Sequence, residues 1–298
     1  MKPKIDLKEP FNVLALNFYH KKIQHALNVF PKIENATLPI FAILESDSKN
    51  KNIPQQIGSG VIVAIKNEYF IFSASHVFDD IGDKQLLIAA DETNEVIPVP
   101  GERFSSKKGL SGTHEDDAVD ASVYHLQTKI SERLKKIALT LDDFDWSEKL
   151  NDRSIYFPSG FRVSQSKRKG NMVNSKQEVF PTVEILEQDY KKYELDPDFN
   201  IALAYEKETI IKGRWHLAPK LNGISGGPII RIDGVNLELP TKDIKDCKQL
   251  LTAITIGQQS EKYGKPGILI GTRIMVHLGL INQFLPGLFD DKTDVLNK

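Results

Sequence analysis

Cysteine is all but missing from this chain: 298 residues contain one, Cys247. A lone thiol permits no internal disulfide, which excludes a disulfide-stapled secreted scaffold and fits a reducing compartment, so a cytoplasmic location is expected. Flanked by Asp246 and Lys248, Cys247 reads as a bystander rather than a nucleophile. Long apolar runs are missing too. None approaches the roughly 18 residues of a membrane-spanning helix. Met1 to Glu9 lacks the apolar core of about 7–15 residues that marks a secretory signal, so neither export nor membrane insertion is expected. Charge of one sign is also absent, with 39 Lys and Arg against 40 Asp and Glu. That near-neutrality argues against a broad nucleic-acid-binding surface. There is no repeat of fixed period and no low-complexity tract. What remains is a globular composition, 40% hydrophobic and 27% charged, in a chain long enough for one or two cores.

The most telling segment present is Leu221-Asn222-Gly223-Ile224-Ser225-Gly226-Gly227-Pro228. Gly-x-Ser-Gly-Gly-Pro bends the backbone around one presented hydroxyl. The bend can aim the amides of Gly223 and Ser225 at one point, where an oxyanion would sit. A Gly/Ser/Pro cluster alone is an ordinary turn. A catalytic one also needs a base and a carboxylate to orient that base. Candidates lie upstream. Gly60 to Ile65 and Glu68 to Phe72 alternate as two strands of a hairpin turned at Lys66-Asn67, and His76 stands at the exit of the second. Asp120 opens a third strand-like run, Ala121 to Leu126, with Asp117 as the rival carboxylate.

Three motifs in this order resemble the trypsin/chymotrypsin-like serine peptidases, in their bacterial-type form. Ser73-Ala74-Ser75-His76 is similar to that family's Thr-Ala-Ala-His, Asp120-Ala121-Ser122-Val123 to its Asp-Ile-Ala-Leu, and Gly223 to Pro228 to its Gly-Asp-Ser-Gly-Gly-Pro. The His, Asp, Ser order separates it from subtilisins and α/β-hydrolases. Leu251 to Gly257 resembles the strand lining the substrate cleft, Lys265 to Ile270 the pocket strand that follows, and Arg273 to Leu285 the C-terminal helix.

The resemblance runs roughly from Phe41 to Leu285. It implies an all-β fold: two six-stranded-type β-barrels of chymotrypsin type, with an N-terminal helical extension and a C-terminal helix. It implies a serine endopeptidase without a cofactor, in which His76, Asp120 and Ser225 form the triad and the Gly223 and Ser225 amides the oxyanion hole. The substrate would be a protein or peptide, and a regulatory partner is compatible with this reading. A catalytically silent, peptidase-fold binding or scaffold protein is the alternative, and esterase activity would use the same residues.

Departures from the family refine the expectation. Trypsin has an Asp before its serine to pair with a newly cleaved N-terminus, whereas this chain has Ile224. Six residues before Ser225, where trypsin's pocket has its acidic base, stands Pro219, and Thr255, Gly257 and Gly267 would leave that pocket open and uncharged. A neutral or apolar residue on the acyl side of the scissile bond is therefore expected. His114-Glu115-Asp116-Asp117, near Asp120, is read as an ordinary polar loop, and no metal is assigned. His125 reads as structural, and Lys167-Arg168-Lys169 as the tip of a solvated loop from Val163 to Lys176.

The chain divides into a helical extension over 1–38, a first barrel carrying His and Asp over 39–130, a linker with a helix over 131–150, and a second barrel with the Ser and the C-terminal helix over 151–298. Within the extension, Leu14, Phe18, Ile23, Leu27 and Phe30 recur at helical spacing, the pattern of a helix packed on the barrels.

Overall fold

The structure is a computed structural model. It describes residues 6, 8–28, 31–43, 54–79, 81, 85–89, 95–127, 129–147, 154–169, 172–206, 208–211, 214–218, 221–233, 248–262 and 264–289. Helices α1 (Pro10–Asn28) and α2 (Pro31–Asn35) lead in. Only the second half of α1 is anchored, by buried Ile23 and Ala26; Phe11, Leu14 and Phe18 are exposed, contrary to a helix packed along its whole apolar stripe.

Strands β1 (Thr37–Ile43), β2 (Pro54–Ile65) and β3 (Glu68–Ala74) lead into the short helix α3 (Ser75–Asp79). Then come β4 (Leu86–Ala89), β5 (Val96–Val99), β6 (Gly101–Ser105) and β7 (Ala121–Leu126). They form one antiparallel sheet in the order β5-β4-β1-β2-β3-β7-β6. Its two edge strands, β5 and β6, are joined through the single residue Pro100, which brings the ends of the sheet together. Proline cannot donate to a ladder, so one bent strand counts as two, and seven assigned strands make a barrel of six-stranded type. In the β2–β3 hairpin Val61 faces Phe72 and Val63 faces Phe70, and Lys66 in the turn takes the left-handed conformation, φ 55°. These four apolar side chains are fully buried, and so are Ile62 and Ile71 between them, so both faces of the hairpin are covered.

Helix α4 (Glu132–Ile137) follows, with the Ser131 hydroxyl accepting from the Leu134 amide as its N-cap. The second barrel comprises β8 (Ile155–Lys169), β9 (Met172–Val179), β10 (Asn200–Ala204), β13 (Pro228–Asp233), β14 (Lys248–Gln259) and β15 (Ile268–Arg273), ordered β10-β15-β14-β13-β8-β9. A separate hairpin pairs β11 (Glu208–Ile211) with β12 (Arg214–Leu217). The segment Thr182–Ile185 hydrogen-bonds to Tyr156 of β8 and to Ala202 and Ala204 of β10, bridging the two sides of this sheet. The stretch read as a solvated loop, Val163 to Lys176, lies largely in the β8–β9 hairpin; cross-strand pairing overrides the loop-like composition of its Ser, Lys and Asn residues.

Helix α5 (Ile274–Phe284) then packs against β6, β7 and β14, so the chain returns from the second barrel to the first. The Phe284 ring stacks on Phe104 at 4.8 Å and the His277 ring on Phe72 at 5.3 Å. The main core runs through both barrels, joining Phe72 and Val123 to Phe157, Ile230, Ile254 and Leu278.

Candidate active site

Three segments meet where the barrels meet. β3 ends at Ala74, and Ser75 fixes the exit: its amide donates to the Asp120 carbonyl at 3.1 Å and its hydroxyl to the Ala121 carbonyl at 2.6 Å. His76 therefore lies in the first turn of α3, against the start of β7. Its amide donates to Asp120 Oδ1 at 2.9 Å, and its ring Nδ1 lies 2.5 Å from Asp120 Oδ2. Both oxygens of one carboxylate thus hold one histidine. With Nδ1–H turned to Asp120, the lone pair of the neutral ring is on Nε2, at the opposite edge. The His76 side chain is 32% exposed and that of Asp120 6%, so the imidazole reaches solvent while the carboxylate does not. Burial pushes the Asp120 carboxyl above its ordinary range, and the His76 hydrogen bonds pull against that shift.

Asp120 stands in the left-handed region, φ 44°, a conformation that costs about 1–3 kcal/mol unless the surroundings impose it. Here they do. Asn200 Nδ2 donates to the Ala118 carbonyl at 2.8 Å and Thr272 Oγ1 to the Val119 carbonyl, both from the second barrel. Asp117, the rival carboxylate, is occupied elsewhere, accepting from Ser106 Oγ at 2.5 Å and from the Val119 amide at 2.9 Å.

The serine loop is seated on the first barrel by β2. The Ser59 amide donates to the Ser225 carbonyl at 2.8 Å, and Ser59 Oγ donates to the Gly223 carbonyl at 2.8 Å while accepting from the Phe161 amide at 2.9 Å. Gly226, φ 83°, lies so close to β2 and β3 that a Cβ would fall 1.9 Å from the Ser59 carbonyl and 2.1 Å from Ser73 Oγ. Gly58 ties the two halves together: a Cβ there would meet Val77 Cγ1 at 2.6 Å and the Ser225 carbonyl at 3.1 Å. The residue after His76 and the main chain of Ser225 thus pack on the same glycine.

Within the loop the amides divide. Those of Ile224, Gly226 and Gly227 donate to the carbonyls of Leu221, Thr255 and Ile224. Those of Gly223 and Ser225 have no acceptor among the described residues, and Gly223 takes φ 94°. Two uncommitted donors with one residue between them are what an oxyanion requires.

The remaining predicted positions sort as follows. Thr255 anchors the serine loop, accepting from Gly226 and donating to Gly227, and is buried. A Cβ on Gly257 would meet nothing within 4 Å, so this position does open onto the cleft. Gly267 does not form an open wall: a Cβ there would fall 2.3 Å from the Tyr205 carbonyl, because Tyr205 pairs with its backbone. Pro219 and Cys247 lie outside the described residues. Three of the four residues of the polar loop are held by neighbouring groups, and Glu115 is exposed. His114 Nδ1 lies 2.9 Å from each oxygen of Asp79 and Nε2 3.1 Å from the Ser106 carbonyl, while Asp116 accepts from Ser111. Among the described residues no group of three His, Cys, Asp or Glu is placed to hold a metal ion. His125 Nε2 pairs with Glu68 at 2.7 Å and its ring stacks on Phe70.

Four positions that matter here were not singled out by sequence: Gly58, Ser59, Asn200 and Thr272. The Gly58-Ser59-Gly60 triplet is a visible signal of close backbone approach; Asn200 and Thr272 carry none.

Among solved structures, neuropsin, a serine protease expressed in the limbic system of mouse brain, superposes with a TM-score of 0.52 over 86% of this chain and 96% of its own, at 15% identity. The fold is the chymotrypsin-type double barrel. No family model matches the chain, and no curated protein sequence does. Among the described residues no helix is long and apolar enough to cross a membrane.

Proposed function

We propose that this double-barrel protein is a serine endopeptidase working through an acyl-enzyme. In this reading Ser225 Oγ attacks a peptide carbonyl carbon while His76 Nε2 takes its proton, and the carbonyl oxygen, now an oxyanion, accepts from the Gly223 and Ser225 amides. Asp120 holds the Nδ1–H tautomer and offsets the imidazolium charge without taking the proton. Collapse breaks the C–N bond, the amine leaves with the proton from His76, and water repeats the sequence on the ester. The observation that carries the reading is the two-oxygen hold of Asp120 on His76, beside a serine loop whose Gly223 and Ser225 amides are uncommitted.

Ile224 supports a site formed without proteolytic activation. It is fully buried in a cluster with Leu221, Tyr156, Ile201 and Ile229, so apolar packing fixes the serine loop where an ion pair to a new N-terminus would otherwise be needed. The test is covalent labelling of the full-length, uncleaved chain by a fluorophosphonate probe. Labelling that is lost in Ser225→Ala is the expected result; an unlabelled, folded wild type indicates a catalytically silent binding protein.

A further inference from the structure

A cleft of about 540 Å³ opens directly beside His76 and Asp120. Its lining separates into two chemistries. Tyr193, Leu195, Ile256 and Ile270 supply an apolar surface, while Glu115, Asp116, Asp117 and Glu194 add carboxylates, and no lysine or arginine lies among the lining residues. The carboxylates alone would be a solvated acidic patch. What makes them a binding surface is the concavity they line, its apolar floor and its continuity with the base.

The acidic groups come from both barrels: Glu115, Asp116 and Asp117 precede β7, and Glu194 follows the 3₁₀ turn Glu187–Tyr193. Ser111 and Ser106 hydrogen-bond Asp116 and Asp117, which fixes those two charges in place. Glu115 and Glu194 are exposed, and among the described residues their carboxylates have no hydrogen bond or ion pair, so they are free to meet a ligand. Tyr193 is buried and its hydroxyl donates to the Pro266 carbonyl at 2.9 Å, a fixed ring; the Lys265 ammonium already lies 5.9 Å from its centroid. A long aliphatic stem ending in a cation suits an apolar floor with an acidic rim.

We infer that this cleft receives a lysine or arginine side chain of the substrate, at a position near, but not at, the residue whose carbonyl is attacked. The inference rests on the peptidase reading above. The cleft is excluded as the seat of the attacked residue itself because no residue of the serine loop 221–228 lines it, and neither does Gly267. An extended peptide advances about 3.3 Å per residue, so positions two to four residues from the attacked one can reach the cleft. The site would then pair an uncharged residue at the point of attack with a cation close by, a pattern unlike that of a trypsin-type pocket.

The experiment is a positional-scanning library of fluorogenic peptides cleaved by the full-length chain, run alongside fluorophosphonate labelling. The expected result is a preference of about tenfold for Lys or Arg over norleucine at one such position, shrinking as salt is raised. In the Glu115→Gln, Glu194→Gln double variant the ratio should fall by several-fold toward one. A labelled enzyme with no cation preference outside the attacked residue overturns this inference alone, as does a preference that survives the double substitution unchanged. A folded wild type that neither labels nor cleaves overturns both readings.

Discussion

In the first barrel, His76 and Asp120 are fixed by hydrogen bonds made mostly within that barrel: His76 to both oxygens of Asp120, and Ser75 to the backbone of Asp120 and Ala121. In the second barrel, Ser225 rides on a glycine-rich loop that is fastened outward. Its carbonyl and that of Gly223 are held by Ser59 of the first barrel, and Ile224 is sunk in apolar packing. The His76–Asp120 pair is built locally and the Ser225 loop is built at an interface. Anything that loosens the barrels should therefore move Ser225 before it moves His76. The exception is Asp120, whose strained approach is clamped from the other side by Asn200 and Thr272.

Removing the chemistry from either side tests whether the two halves act as one unit. Ser225→Ala and His76→Ala should each lower kcat/KM on a cleaved peptide by on the order of 10⁶-fold, with circular dichroism unchanged. A folded Ser225→Ala chain with wild-type turnover would overturn the mechanism. Asp120→Asn keeps the shape but lets the ring adopt the wrong tautomer, and should cost about 10⁴-fold in kcat.

The comparison sharpens at His277, on the helix that returns from the second barrel to the first. It is completely buried, donates from Nε2 to the Ser73 carbonyl at 3.1 Å, and burial pushes its pKa down from 6.5 to about 4. The folded chain thus keeps His277 neutral while the unfolded chain protonates it below about pH 6.5. Stability from this group is full above that pH and is lost as pH falls toward 4, to a total of about 3 kcal/mol. Urea unfolding from pH 7 to 4 should show that loss in wild type, and His277→Phe, which can keep the stacking on Phe72, should lack it. Equal pH profiles for the two would show that His277 does not carry the effect.

The smallest expected effect bears most directly on the interface. Ser59→Ala strands the Gly223 carbonyl and the Phe161 amide, a cost of about 2 kcal/mol. Thermal unfolding should register it together with a fall in fluorophosphonate labelling rate. A loss of stability with an unaltered labelling rate would mean that the loop holds its shape without β2.

The sequence by itself determined several of the elements and the chemical types at the site. Two apolar, strand-like runs around a turn located the β2–β3 hairpin, the turn at Lys66-Asn67 and the exit at His76, because strand pattern and turn chemistry are local properties. The bend at Gly223 to Gly227 was legible for the same reason, whereas the helix ending the second barrel came from the family resemblance. Tertiary structure decided what locality cannot. The sequence already favours Asp120 over Asp117, because Asp120 opens the β7 run; what the tertiary structure decided is how its left-handed approach is held, by clamps from Asn200 and Thr272, 80 and 152 residues further along. It turned Gly267, just before β15, inward against Tyr205 and left Gly257, within β14, open. It paired most of Val163 to Lys176 as a hairpin, which the composition alone did not suggest. Local pattern fixes which residues bend, alternate or ionise; only the closing of two barrels against each other fixes which of them meet.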